Sequence, residues 1–225
     1  MQRGLMLYII LSGIFISCLI TSNLIFLKFF TIKIQFLNTT FTQSVGLLAY
    51  PITFLITDII SEIYGQKKAN YLVISGIISS IIVLFIIYIA EILPADAKST
   101  VDDSIFSLVF GQFGIAMAAS LFTYLICQLI DIQIFHYWKQ KTQGKHLWFR
   151  NNFSTIFSQL IDTFLILFLL MLFTGFPSNY SQLFQLFING FLFKIIVALI
   201  DTPFIYLCVF YLRNKYQLKL DEELN

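Results

Sequence analysis

Charge is what this sequence has least of. Asp, Glu, Lys and Arg make up 12% of its 225 residues, while 58% are hydrophobic and mean hydropathy is +0.84. A soluble domain carries roughly 25% charged residues, so this surface cannot be one that water solvates. There is no room for a soluble domain, a nucleotide-binding fold or a tail longer than about a dozen residues. No Walker loop is present, so the chain does not hydrolyse ATP by itself. Cysteine is scarce: Cys18, Cys127 and Cys208 stand apart in apolar surroundings, without a Cys-x-x-Cys pair, and are expected to pack as small hydrophobes. His136 and His146 lie ten apart beside a basic loop and are expected at the membrane interface, not as metal ligands. Alternating ten-residue strands are missing, which argues against a β-barrel. A Gly-x-Gly-Asp signature is missing too, which argues against an intramembrane aspartyl hydrolase, and the lack of a short re-entrant filter argues against a cation channel. The expectation is a protein that is not an enzyme and needs neither cofactor nor metal.

What remains is apolar length. About 20 apolar residues cross roughly 30 Å of hydrocarbon, and runs of that length recur at about 5–30, 42–64, 70–92, 111–138, 153–175 and 182–212. The expected fold is an all-α integral membrane protein, one six-helix domain over residues 1–225. If the N-terminus is cytoplasmic, the inner segments hold Arg3, then Lys67 and Lys68, then Lys139, Lys141, Lys145 and Arg150, then Arg213, Lys215 and Lys219. The outer segments hold only Lys28, Lys33 and Lys98, beside the acidic Asp96, Asp102 and Asp103. The positive-inside rule therefore predicts both termini in the cytoplasm, and the net charge of +2 speaks to topology and not to nucleic acid. The first run has a basic start and a Phe15-Ile-Ser-Cys18 stretch like a processing site, yet it stays apolar far beyond that point and is read as a retained helix. The loop from Leu93 to Phe110 is long enough for a short surface helix.

Polar residues inside the spans carry the functional question. The stretch from Lys139 to Asp162 starts as a basic loop and runs without a break into an apolar segment bearing Gln159 and Asp162. The same grammar occurs as Gln128-Leu-Ile-Asp131 in the fourth span, and Asp58 and Asp201 follow short apolar stretches in the second and sixth. With this topology the four aspartates fall in the cytoplasmic half of the membrane and Lys194 just across its middle. A central Asp or Lys costs roughly 2.5–3.5 kcal/mol, so the set has to converge on the interior. One lysine cannot neutralise four acids. Either the group is an ion network that holds helices together, or it lines a wet cavity for a polar ligand. Asn23 suits a helix-packing hydrogen bond or a ligand contact equally. Glu62, four residues beyond Asp58, sits near the cytoplasmic end, where it can simply meet water. Pro51 is expected to kink the second span beside a cavity. Tyr50, Tyr124, Trp148, Phe153 and Phe157 can offer flat faces. Carboxylates, amides and flat faces together suit a planar heterocycle with an amidine-like N–H edge, such as a guanine-type base.

The ordered set of Tyr50-Pro-Ile-Thr-Phe-Leu-Ile-Thr-Asp58, Glu62-Ile-Tyr-Gly65, Gln128-Leu-Ile-Asp131, Lys145-His-Leu-Trp148-Phe-Arg-Asn-Asn152-Phe-Ser-Thr155, Ser158-Gln-Leu-Ile-Asp162-Thr163 and Lys194 to Asp201-Thr-Pro203 resembles the queuosine precursor transporter family. These are bacterial inner-membrane proteins formerly grouped as vitamin uptake transporters. The likeness runs from Asn23 to Tyr206. It implies import of a 7-deazaguanine base (the 7-cyano or 7-aminomethyl form, or queuine) for transfer RNA modification by another enzyme. The partners implied are that small molecule and the lipid bilayer, with a homodimer as the oligomeric alternative to a monomer. Substrate contacts are expected among Asp58, Gln128, Asp131, Asn152, Gln159, Asp162, Lys194 and Asp201, with Asn23, Tyr50, Glu62 and Trp148 as further candidates. In this reading Asp162 or Asp131 takes the donor edge of the base, Gln128 and Gln159 frame it, Lys194 pairs with Asp201, and Arg150 to Asn152 enter the inner mouth. The six-helix size also fits a second reading, the substrate-binding subunit of an energy-coupling-factor importer, which would require an ATPase partner.

Overall fold

The computed structural model describes residues 2–26, 28–34, 39–111, 114–175, 177–220 and 222–224. The side chains of Arg3 and Lys33, which enter the orientation argument, lie outside that description. Seven α-helices are present among the described residues: α1 (Gln2–Leu24), α2 (Tyr50–Tyr64), α3 (Gln66–Ile92), α4 (Asp103–Phe110), α5 (Gly114–Lys141), α6 (Leu147–Thr174) and α7 (Tyr180–Tyr216). Six are long and apolar enough to cross a membrane, α2 doing so together with the 3-10 turn Val45–Leu48 that precedes it. The seventh, α4, is the short helix expected in the 93–110 loop. Its N-cap is Asp102, whose carboxylate accepts from the Ser104 hydroxyl and the Ile105 amide and is held below the usual carboxylate range by those bonds.

The helical fold is as expected, but the chain between the first two spans is not helix: β1 (Phe29–Ile34) and β2 (Thr39–Ser44) pair antiparallel, from Phe29 opposite Ser44 to Ile34 opposite Thr39. These are six-residue segments rich in Thr, Ile and Phe, residues that suit a pleated strand, and they take up residues assigned above to the ends of the first two spans. Nor does Pro51 break a helix: it stands in the first turn of α2, where its missing N–H would have had no partner anyway. The interior proline is Pro203 in α7, a helix of 37 residues and thus about 55 Å long, well beyond the hydrocarbon thickness.

The short helix α2 is the axis of the bundle. It packs against α1, α3, α5 and α7, and from Thr53 to Tyr64 every residue except Leu55 is buried. The longer helices put their apolar side chains outward instead, as α3 does with Tyr71, Ile74, Ile78, Ile81, Phe85 and Ile89. Close approach of α1 to the start of α2 depends on Gly46, where a Cβ would stand 2.6 Å from the Ser22 carbonyl oxygen. Both termini lie at one end of the bundle: the Tyr64 hydroxyl donates to the Gly4 carbonyl at 2.7 Å, and the Leu224 amide donates to Ile63 at 2.7 Å. The hairpin lies toward the other end, tied to the chain just past α1 by the Ser44 hydroxyl on the Phe26 carbonyl.

Candidate functional site

Two chambers open beside α2. The central one, about 340 Å³ with its open side counted, is lined by Tyr50, Pro51 and Phe54 of α2, Thr155 and Gln159 of α6, and Phe193, Lys194, Val197, Ala198 and Asp201 of α7, together with Leu47. The second, about 680 Å³ counted the same way, lies on the hairpin side between Ser22, Asn23, Phe26, Ser44, Gly46, Ser120, Thr123, Asp162 and Ile166. Leu47, Tyr50 and Lys194 line both.

The boundary between them is a charged latch. Lys194 pairs with the Asp162 carboxylate across α6 and α7, the Tyr50 hydroxyl donates to the other Asp162 oxygen at 3.1 Å, and the Lys194 ammonium stands 5.7 Å from the Tyr50 ring centre. This corrects the expected pairing of Lys194 with Asp201. Seven residues along a helix amount to a rise of about 10 Å, too far for an ion pair within α7, whereas Asp162 comes alongside on the neighbouring helix. Asp201 makes no hydrogen bond or ion pair among the described residues and faces the central chamber. Gln159 faces it as well, with a side-chain oxygen that is buried and unpaired.

Behind this wall stands a second polar layer that touches neither chamber. Gln128 is fully buried, donating to the Tyr124 hydroxyl at 3.0 Å while its oxygen lies 3.2 Å from the Thr57 hydroxyl. Asp58 and Asp131 are set against each other within hydrogen-bonding reach, and the Ser158 hydroxyl donates to Asp131 at 3.0 Å. Asn152 links α6 to α7 through Thr202 at 2.9 Å and donates to the Trp148 carbonyl at 2.8 Å. The structure thus brings Tyr50, Gln159, Asp162, Lys194 and Asp201 to the chambers and sets Asp58, Gln128, Asp131 and Asn152 among the helices. Asn23 makes the helix-packing bond foreseen for it, accepting from Ser120 while donating to Leu19, and it lines the hairpin-side chamber.

Aromatic expectations divide the same way. Tyr50, Phe54 and Tyr124 form a cluster with ring centres 5.4–6.1 Å apart. Trp148, Phe153 and Phe157 are on the outside of the bundle, Trp148 with 54% of its surface exposed, so they supply no face to a ligand. They stand on the outward side of α6, which begins at Leu147 and therefore already includes residues assigned above to the loop. His136 is buried between helices instead of lying at an interface.

The largest departure concerns Glu62. It does not meet water: 1% of its surface is exposed, and it sits at the terminal end of α2 inside a cluster of cations. Arg150, itself fully buried, donates to both Glu62 oxygens at 2.9 and 3.3 Å, Arg213 donates at 2.6 Å, and the Lys139 ammonium is 3.6 Å away. Arg150 also donates to the Gly144 carbonyl and lies over the Phe135 ring, so it anchors the basic loop instead of entering a mouth. The partners are 88 and 151 residues away from Glu62 in sequence, beyond the reach of any spacing rule.

Six membrane-length helices beside a half-open cleft that holds Gln159, Lys194 and Asp201 mark a multi-pass membrane protein. Residues 44–208 match the family described as "Putative vitamin uptake transporter", and the chain belongs to that family of bacterial transporters. It is 29% identical over 167 residues to a "Probable queuosine precursor transporter" of Bacillus subtilis (strain 168), covering 73% of this chain and 71% of the relative. It is 26% identical over 161 residues to a protein of the same description from Haemophilus influenzae, covering 72% of this chain and 66% of the relative. No solved structure matches it.

Proposed function

We propose that the chain imports a queuosine precursor, a 7-deazaguanine base such as the 7-cyano or 7-aminomethyl form or queuine, across the bacterial inner membrane to supply transfer RNA modification. The observation that carries this reading is the central chamber, in which aromatic faces meet an unpaired carboxylate and an unpaired amide oxygen. The description shared by both relatives supports it. A deazaguanine presents its ring N–H and amino group side by side, and a carboxylate can accept both. Asp162 already accepts from Lys194 and Tyr50, and Asp131 lies behind the wall. The donor edge is therefore assigned to Asp201, with Gln159 beside it and the ring stacked toward Tyr50 and Phe54. Lys194 and Asp162 form the partition that the base passes on its way in from the hairpin side.

Orientation completes the reading. Placing the termini in the cytoplasm puts the Glu62 cluster at the inner face and both chambers on its outer side, the arrangement of an importer waiting for substrate. The test uses a bacterium that can neither make queuosine nor import its precursors. Expressing this chain should restore queuosine in transfer RNA when one of the three bases is supplied at low concentration, and the base that works names the substrate. Failure with all three, with the protein present in the membrane, refutes the reading.

A further inference from the structure

Asp58 and Asp131 are the buried acids that the substrate reading leaves unused. Asp58 is 3% exposed and Asp131 0%, and the two carboxyl groups come from α2 and α5 to meet each other. The ion pairs among the described residues end on Glu62, Asp162 and Glu223, and none reaches this pair. The ionisable groups facing it are Glu62 one turn further along α2, Asp201 from α7, and Tyr124 and Cys127 on α5, none of them a cation. One oxygen of each carboxyl, Asp58 Oδ1 and Asp131 Oδ2, is buried without a hydrogen-bond partner. The buried Thr155 hydroxyl has no partner by geometry either, yet it lies against Asp131 and also lines the central chamber.

Two carboxylates in contact, without a cation and away from water, cannot both stay charged. We propose that Asp58 and Asp131 together hold one exchangeable proton, taken from the outer side through the central chamber past Thr155, and that release of this proton toward the Glu62 end couples inward movement of the base to the proton gradient. The pair carries one negative charge when loaded and two when empty. Emptying it while α2 stays packed is therefore disfavoured, and movement of α2 against α5 follows the proton. The coupling, though not the proton site itself, rests on the substrate reading above.

The test uses purified protein in liposomes with the membrane potential clamped at zero and labelled 7-cyano-7-deazaguanine, a neutral base, as probe. One proton carried per base, driven by one pH unit acid outside, gives about tenfold accumulation. Asp58→Asn and Asp131→Asn, which mimic the protonated form in shape, should keep exchange of internal for external base without a gradient and lose accumulation. Equal accumulation in these variants, simple equilibration by the wild type, or accumulation that follows sodium instead overturns the coupling. If the wild type exchanges none of the 7-deazaguanines, the substrate reading is what fails, and the proton site is then judged separately. Infrared spectra of the wild type at neutral pH should contain a protonated carboxylic-acid band that Asp131→Asn removes. A spectrum without that band overturns the proton site whether or not the variants fold.

Discussion

Replacing Glu62 with Gln is the sharpest test of how this bundle is closed. The substitution keeps size and hydrogen-bonding capacity but removes the acid that, among the described residues, all three cations face; Arg150 is fully buried and Arg213 and Lys139 nearly so. Arg150 would keep the Gly144 carbonyl and the Phe135 ring, and Lys139 would keep Glu223 at 3.7 Å and the Glu62 backbone carbonyl at 3.0 Å. Lys139 thus keeps one carboxylate, whereas Arg150 is left with a carbonyl and a ring and Arg213 with the Leu220 carbonyl. Removing one partner of a buried ion pair costs about 3–5 kcal/mol because it strands the other. In a chain of this length each kcal/mol moves the melting temperature by roughly 2–4 °C, so Glu62→Gln should lower it by about 6–20 °C in detergent. Lys139→Met, which removes the most distant cation and keeps the apolar stem, should cost far less. The double change Glu62→Gln with Arg150→Gln should recover part of the loss, because the stranded guanidinium is gone. Thermal unfolding of the purified protein followed by a fluorescent thiol probe or by light scattering measures all three. A Glu62→Gln shift no larger than that of Lys139→Met would refute the argument that this carboxylate is the hub of the terminal end.

Three further outcomes follow from the same geometry. Asp201→Asn exchanges the unpaired carboxylate for an amide, and losing a charged hydrogen bond worth about 1.5–3 kcal/mol should weaken 7-cyano-7-deazaguanine binding roughly ten- to 150-fold by calorimetry. Unchanged affinity removes Asp201 from the site. Gly46→Ala pushes a methyl against the Ser22 carbonyl, a backbone atom that cannot swing aside, and should cost about 1–3 kcal/mol, read as lower melting temperature and yield. Trp148→Ala, by contrast, alters an exposed ring whose backbone amide alone meets Tyr206, and uptake rate should stay at the wild-type level.

The six spans could be read from apolar length because the bilayer sets that length, and the polar residues within them had to turn inward because lipid offers them nothing. The hairpin between α1 and α2 was not legible that way. Six-residue strands joined by a short loop look, to a hydropathy window, like frayed ends of the adjoining spans. Within the site, sequence could say which helices carry acids but not which acid each cation would choose. Lys194 and Asp162 are 32 residues apart, on helices whose relative height depends on packing. Only the rejection of Lys194 with Asp201 was available in advance, since helical rise alone forbids it. Trp148 and Asn152 were misplaced for a related reason: the basic, polar run hid the start of α6 at Leu147, and with it the face each residue would take.

Four acids against one lysine pose a problem in a membrane, and the structure divides it into parts. Asp162 takes the lysine and a tyrosine hydroxyl. Asp201 is left facing a chamber, where a ligand or water can reach it. Asp58 and Asp131 are buried against each other, an arrangement that is tolerable only with a proton between them. Glu62, from sequence either a solvated end residue or a further substrate contact, takes three cations and closes the terminal end. Two of these acids lie on α2, the most deeply buried helix, a turn apart. A shift of α2 by as little as one turn would separate Glu62 from Arg150 and Asp58 from Asp131 together. Opening the terminal end and emptying the carboxyl pair are therefore movements of one element, and a substitution that loosens either contact should change the other.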